Sequence, residues 1–100
     1  MTIVVTRHPA LVEYLIQQGL VQKDVEVVSH AKPEEVAGKD VIGVLPMWLA
    51  VLARTVTEVP MDIPPEMRGK ELTLAQVEKF AGPAVRYAVA HCGFPKPRKS

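Results

Sequence analysis

Ile3-Val4-Val5-Thr6-Arg7-His8-Pro9 decides the fold. Its first half is short, apolar and β-branched, the composition of a buried strand. Proline is favoured at the first helical position, where its missing N–H costs nothing. An amphipathic pattern follows at once: Leu11, Val12, Leu15, Ile16 and Gly19 recur at spacings of three and four, while Glu13, Gln17 and Gln18 fall elsewhere. The reading is a strand over 2–6, a turn at Arg7-His8 and a helix over 9–19 stopped by Gly19. Unpaired N–H groups and the helix dipole make such a turn a natural anion site. Arg7 adds a permanent cation, and His8 a group able to move a proton near neutral pH.

The same layout recurs downstream. Residues 24–29 read as a second strand, and Pro33-Glu34-Glu35-Val36 as one helical turn in a polar connection. Asp40-Val41-Ile42-Gly43-Val44-Leu45 is the clearest buried strand, with Gly43 marking a close backbone approach or a bulge. Pro46 opens a second helix through Met47, Trp48, Leu49, Leu52 and Ala53. Residues 55–61 alternate as a fourth strand, with Pro60 suiting an edge or a strand end. Ile63 to Lys70 is a stiff loop. Thr73 and Gln76 form a capping box for a helix that Gly82-Pro83 ends, with Leu72 and Val77 as its staple. A further helical piece is expected over 83–91, with Ala84, Val85, Ala88 and Val89 on one face.

Strands alternating with helices predict one small α/β domain over residues 1–94. Its sheet is mainly parallel, Rossmann-like, of about four to five strands flanked by helices. Residues 95–100, Pro-Lys-Pro-Arg-Lys-Ser, read as a basic disordered tail. Ligands of such sheets favour the crevice beyond the strand C-terminal ends. Those ends carry Thr6-Arg7-His8, Ser29-His30 and Leu45-Pro46.

Composition narrows the function classes. Apolar content is 48% and aromatic content 5%, so the core is aliphatic. The net charge of +1 argues against bulk polyanion coating, and no DNA partner is expected. The halves differ mildly, −2 for residues 1–50 and +3 for 51–100, which suits a local anion site. A lone cysteine, Cys92, excludes an intrachain disulfide and suits a reducing compartment. Neither a signal peptide nor a membrane span is legible, and a cytoplasmic location is expected. A chain this short buries a modest core, which favours association of identical chains.

Three constellations carry candidate chemistry, each with a plainer reading beside it. Arg7-His8 is a phosphate clamp with an acid, or an exposed helix entrance. Arg68-Gly69-Lys70 is a second clamp, or a solvated turn in which Glu71 neutralises a cation. Leu45-Pro46-Met47-Trp48 lines a base pocket, where an aromatic stack is worth ~1–3 kcal/mol, or Trp48 is core. Asp62, Glu66 and Glu71 match no metal-ligand spacing, so no metal or other cofactor is expected. Walker, GxGxxG, zinc and nucleophile-elbow motifs do not occur.

Taken together, Val5-Thr6-Arg7-His8-Pro9, Asp40-Val41-Ile42-Gly43-Val44-Leu45-Pro46 and Pro65-Glu66-Met67-Arg68-Gly69-Lys70-Glu71-Leu72 resemble a family of small accessory proteins of type III CRISPR systems. The resemblance runs through roughly residues 3–80. It implies homodimers that bind cyclic oligoadenylate across a twofold axis and cut cyclic tetra-adenylate, switching off antiviral signalling. It places Arg7, His8 and Arg68 in the matching blocks. Thr6, Leu45, Pro46, Trp48, Gly69 and Lys70 complete the candidate ligand site. RNA carries its own nucleophile, the 2′-OH, so an enzyme need only align it, neutralise charge and protonate the departing 5′-oxygen. Arg7 suits the charge and His8 the proton, with no metal. The alternatives are a sponge that holds the messenger uncut, and a protein-interaction subunit with no nucleotide ligand.

Overall fold

A computed structural model of the chain describes residues 1–95. The basic tail lies, from residue 96 onward, outside the described residues. Strand β1 spans Thr2–Val5 and helix α1 Pro9–Gln17. Strand β2 is Glu26–Val28, helix α2 the single turn Pro33–Val36, and strand β3 Asp40–Gly43. Helix α3, Met47–Ala50, precedes strand β4, Thr55–Glu58. A 3₁₀ turn at Pro65–Met67 leads to helix α4, Leu74–Phe80, and strand β5, Val85–Tyr87. The sheet order is β2-β1-β3-β4-β5. The first four strands run parallel and β5 pairs antiparallel with β4. The α/β reading with a mainly parallel sheet therefore holds.

Strand alternation divides the core between the two faces of the sheet. Ile3, Val41 and Val56 pack with Val36 of α2 and with Leu49, Ala50 and Ala53 around α3. Val4 and Ile42, the neighbouring positions, face the other way onto Leu15 of α1. Beside α1, Leu72 and Val77 close a third cluster with Ala10. The capping box forms as expected: Gln76 N–H donates to Thr73 Oγ1 at 3.2 Å, and Thr73 N–H donates to Gln76 Oε1 at 2.9 Å. At the opposite end of the sheet from the strand C-termini, Arg54 donates two hydrogen bonds of 2.9 Å to Asp40, and Thr55 Oγ1 donates a third of 2.7 Å. These donors, Arg54 first, hold the Asp40 carboxyl at about 2, below its ordinary 3.8.

Two elements depart from the sequence reading. Residues 83–91 are not helical: Val85–Tyr87 is a strand, because pairing with β4 satisfies backbone groups that a three-residue register there can use. The small apolar residues that mimic a helix face, Ala84 and Ala88, flank it. Helix α3 is also shorter than expected, one turn, with Leu52 and Ala53 in the turns that follow.

Candidate functional site

At the C-terminal end of β1 the chain turns sharply into α1. His8 is the N-cap, in an extended conformation, and Pro9 occupies the first helical position. Strand order places this turn at a switch point, since β1 leads out to β2 on one side while β3 lies on the other. A crevice at such a point is where open α/β sheets bind ligands. Gly43 makes the junction possible. It pairs with Val5, has φ +143°, and a Cβ there would collide with the Val5 carbonyl oxygen. Only glycine lets the two strand ends lie this close.

Above the junction lies a cavity of about 460 Å³. Its base is Ile42, Gly43 and Val44, and α1 contributes Leu11. Met61, Ile63, Met67 and Leu72 from the segment between β4 and α4, with Val77 of α4 itself, make an apolar wall. Thr6, Arg7, His8, Ser29, Gly69 and Lys70 supply the polar and cationic lining. Hence one cavity gathers Thr6, Arg7, His8, Gly69 and Lys70 from sequence blocks sixty residues apart. Its size falls within the roughly 300–1,000 Å³ of small-ligand sites, and its mostly apolar lining with few polar groups is typical of them.

The remaining candidates lie outside that lining. Leu45 packs against the α2–α3 core on the other face. Pro46 is the N-cap of α3. Trp48 projects from α3 into solvent, because Leu49 and Ala50 take its buried face. Arg68 follows the 3₁₀ turn and is exposed, so Gly69 and Lys70 supply the lining from that block.

Backbone bonding changes where an anion would be held. Pro9 has no N–H, His8 N–H donates to Thr6 Oγ1 at 3.1 Å, and Leu11 N–H donates to the His8 carbonyl at 3.1 Å. Most amides of the turn are thus engaged, and the side-chain cations Arg7 and Lys70 carry the attraction. Among the described residues the one ion pair is Arg54–Asp40, so Glu71 neutralises neither Arg68 nor Lys70. A shallower groove on the far side of the turn includes Glu13, which disfavours an anion there.

His30, which the sequence places at a strand end without a role, reaches the cavity's Arg7. Arg7 Nη2 donates to its Nε2 at 2.9 Å. A guanidinium only donates, so this ring nitrogen is the unprotonated one. Parallel pairing of β1 and β2 brings the two side chains together. The signal available in the sequence was that both residues directly follow strands. Among the described residues, no group of three or more His, Cys, Asp or Glu side chains is placed to hold a metal ion. None of the described helices is long and apolar enough to cross a membrane.

Residues 3–90, which include every element lining the cavity, match the family described as "Putative CRISPR-associated protein (Cas_VVA1548)". The chain belongs to that family. No curated protein and no solved structure matches it. The CRISPR-associated assignment thus rests on nearly the whole domain, from β1 through β5, and takes in both cationic blocks of the cavity.

Proposed function

We propose that this CRISPR-associated protein is a metal-independent ring nuclease that cuts cyclic tetra-adenylate and so ends type III antiviral signalling in the cytoplasm. The observation that carries the reading is the strand-end cavity, in which Arg7, His8 and Lys70 ring an apolar interior. An apolar interior suits an adenine face, and cations at the lining suit the phosphate beside it. A cavity of about 460 Å³ suits part of a four-nucleotide ring rather than all of it. Two copies related by a twofold axis would offer two cavities and two sets of cations to a ligand that is itself repetitive.

The chemistry balances without an added reactant. The ribose 2′-oxygen attacks the adjacent phosphorus, forming one O–P bond and breaking the bond to the 5′-oxygen. The 2′-OH proton passes to water, and His8 as imidazolium gives a proton to the departing 5′-oxygen. Arg7, oriented by His30, and Lys70 stabilise the charge that builds on the phosphoryl oxygens. The product is linear oligoadenylate ending in a 2′,3′-cyclic phosphate.

Incubation of labelled cyclic tetra-adenylate with the protein, with and without EDTA, tests the reading. The expected result is cyclic-phosphate-ended product at equal rates in both. In His8→Ala binding persists while cleavage slows by ~10²–10⁴-fold. Ring that is bound but stays intact at excess protein would replace the nuclease with a sponge. Ring that is neither bound nor cut would remove the nucleotide altogether.

A further inference from the structure

Cleavage in the cavity has an acid and a charge clamp but no base among its lining side chains. Among the described residues, the ionisable groups that line it are Arg7, His8 and Lys70, and no carboxylate joins them. In an in-line displacement the attacking and departing oxygens lie on opposite sides of phosphorus. One imidazole therefore cannot take a proton at one and give a proton at the other in a single step. His8 gives, so a second group must take. His30 follows Ser29, which lines the cavity, and accepts from Arg7 Nη2 at 2.9 Å. Bonded in this way the ring is neutral and carries a lone pair, the form a base requires.

We infer that His30 is the general base of this site and draws the 2′-OH proton through the water that receives it. The role rests on the ring-nuclease reading. Arg7 controls when the base is available. In the free protein its N–H occupies the Nε2 lone pair. An anionic phosphate oxygen outcompetes a neutral imidazole for a guanidinium, whose fork matches phosphate. Arrival of the phosphate thus frees the lone pair beside the bond to be made. The step balances. The 2′-oxygen bonds to phosphorus, and its proton passes through water to Nε2. The bond from phosphorus to the 5′-oxygen breaks, and His8 protonates that oxygen. His8 ends neutral and His30 protonated, and solvent restores both. Other groups on the neighbouring elements do not fill the role. Glu13 of α1 and Glu34 and Glu35 of α2 form no ion pair with the ring, and Glu35 Oε1 accepts from the Lys32 N–H at 2.8 Å. Lys32 and Lys70 are cations. The third histidine, His91, follows β5, the opposite edge strand from β2, and packs edge-on against Phe94.

Single-turnover cleavage of labelled cyclic tetra-adenylate by the full chain, followed across neutral pH, tests the role. The parent should give a bell-shaped profile. Its rate rises with pH as His30 loses its proton and falls as His8 loses its own. Carboxylates and lysines ordinarily titrate far from this window. His30→Gln separates the two duties of the side chain. Its amide oxygen can accept from Arg7 as the imidazole does, but it cannot take up a proton. The variant should bind the ring as tightly as His8→Ala and cleave it ~10²–10⁴-fold more slowly than the parent. It should lose the rising limb and keep the falling one. His30 is exposed, and unchanged thermal unfolding would show that the variant folds. Cleavage by His30→Gln at the parent's rate, or slower with the rising limb intact, would overturn the inference and leave the nuclease standing. So would a loss of rate no larger than the loss of affinity, the mark of a residue that only positions Arg7. A parent that leaves the ring uncut, bound or not, would refute the nuclease reading itself and the role of His30 with it.

Discussion

Replacing Gly43 by alanine probes the joint that shapes the site. Gly43 has φ +143°, a region that side chains rarely enter, and such strain costs ~1–3 kcal/mol. The added methyl would also meet the Val5 carbonyl oxygen, with Val5 C and Cβ at 3.3 Å. That oxygen is strand backbone, so relief requires moving β1, and overpacking of this kind costs ~1–3 kcal/mol. Together these amount to about 2–6 kcal/mol, against a typical ~5–15 kcal/mol for a domain. At ~4–8 °C per kcal/mol for a chain of this size, the melting temperature should fall by at least about 8 °C. Gly19→Ala is the control. Gly19 has φ +74° with nothing within 4 Å of an added Cβ, so it bears the conformational cost alone, ~1–2 kcal/mol. Thermal unfolding followed by circular dichroism measures both. Equal losses at the two positions, or a Gly43→Ala melt within about 3 °C of the parent, would refute the close-approach argument.

Other perturbations follow from the same geometry. His30→Ala frees the Arg7 guanidinium and should weaken cyclic tetra-adenylate binding by roughly 2–10-fold, the worth of one hydrogen bond; calorimetric titration showing unchanged affinity would remove His30 from the site. Thr73→Ala breaks the capping box of α4 and should cost ~1 kcal/mol, read as a fall in melting temperature of ~4–8 °C. Because Asp40 is held at about 2, below its ordinary 3.8, its stabilising contribution is complete above that ordinary value and disappears as pH falls through about 2. Denaturant midpoints should therefore drop across this acid window in the parent, and less steeply in Asp40→Asn.

Local chemistry made much of this fold readable. The β-branched run before Arg7, the proline at the helix start and the Thr73–Gln76 pair each state their own conformation within a few residues. Gly43 signalled either a close backbone approach or a bulge, and its place against the Val5 carbonyl is the first of these. Strand β5 was not readable. Ala84, Val85, Ala88 and Val89 satisfy a helical period, and only a partner thirty residues earlier makes a strand there. The site divides in the same way. Thr6, Arg7 and His8 follow from one turn, and Gly69-Lys70 joins them because the segment after β4 returns over α1. The Arg7–His30 bond depends on which strands are neighbours, which no local pattern states. Trp48 was read as base pocket or core; at 63% exposed it is not core, because a one-turn helix leaves half of its residues facing outward.

A crystal structure of the protein with cyclic tetra-adenylate bound tests the central claim most directly. The expected result is an adenine within the apolar wall of Met61, Ile63 and Met67, with the adjoining phosphate contacted by Arg7 and Lys70 and its 5′-oxygen within reach of His8. A ring bound elsewhere, with this cavity holding only solvent, would contradict the account.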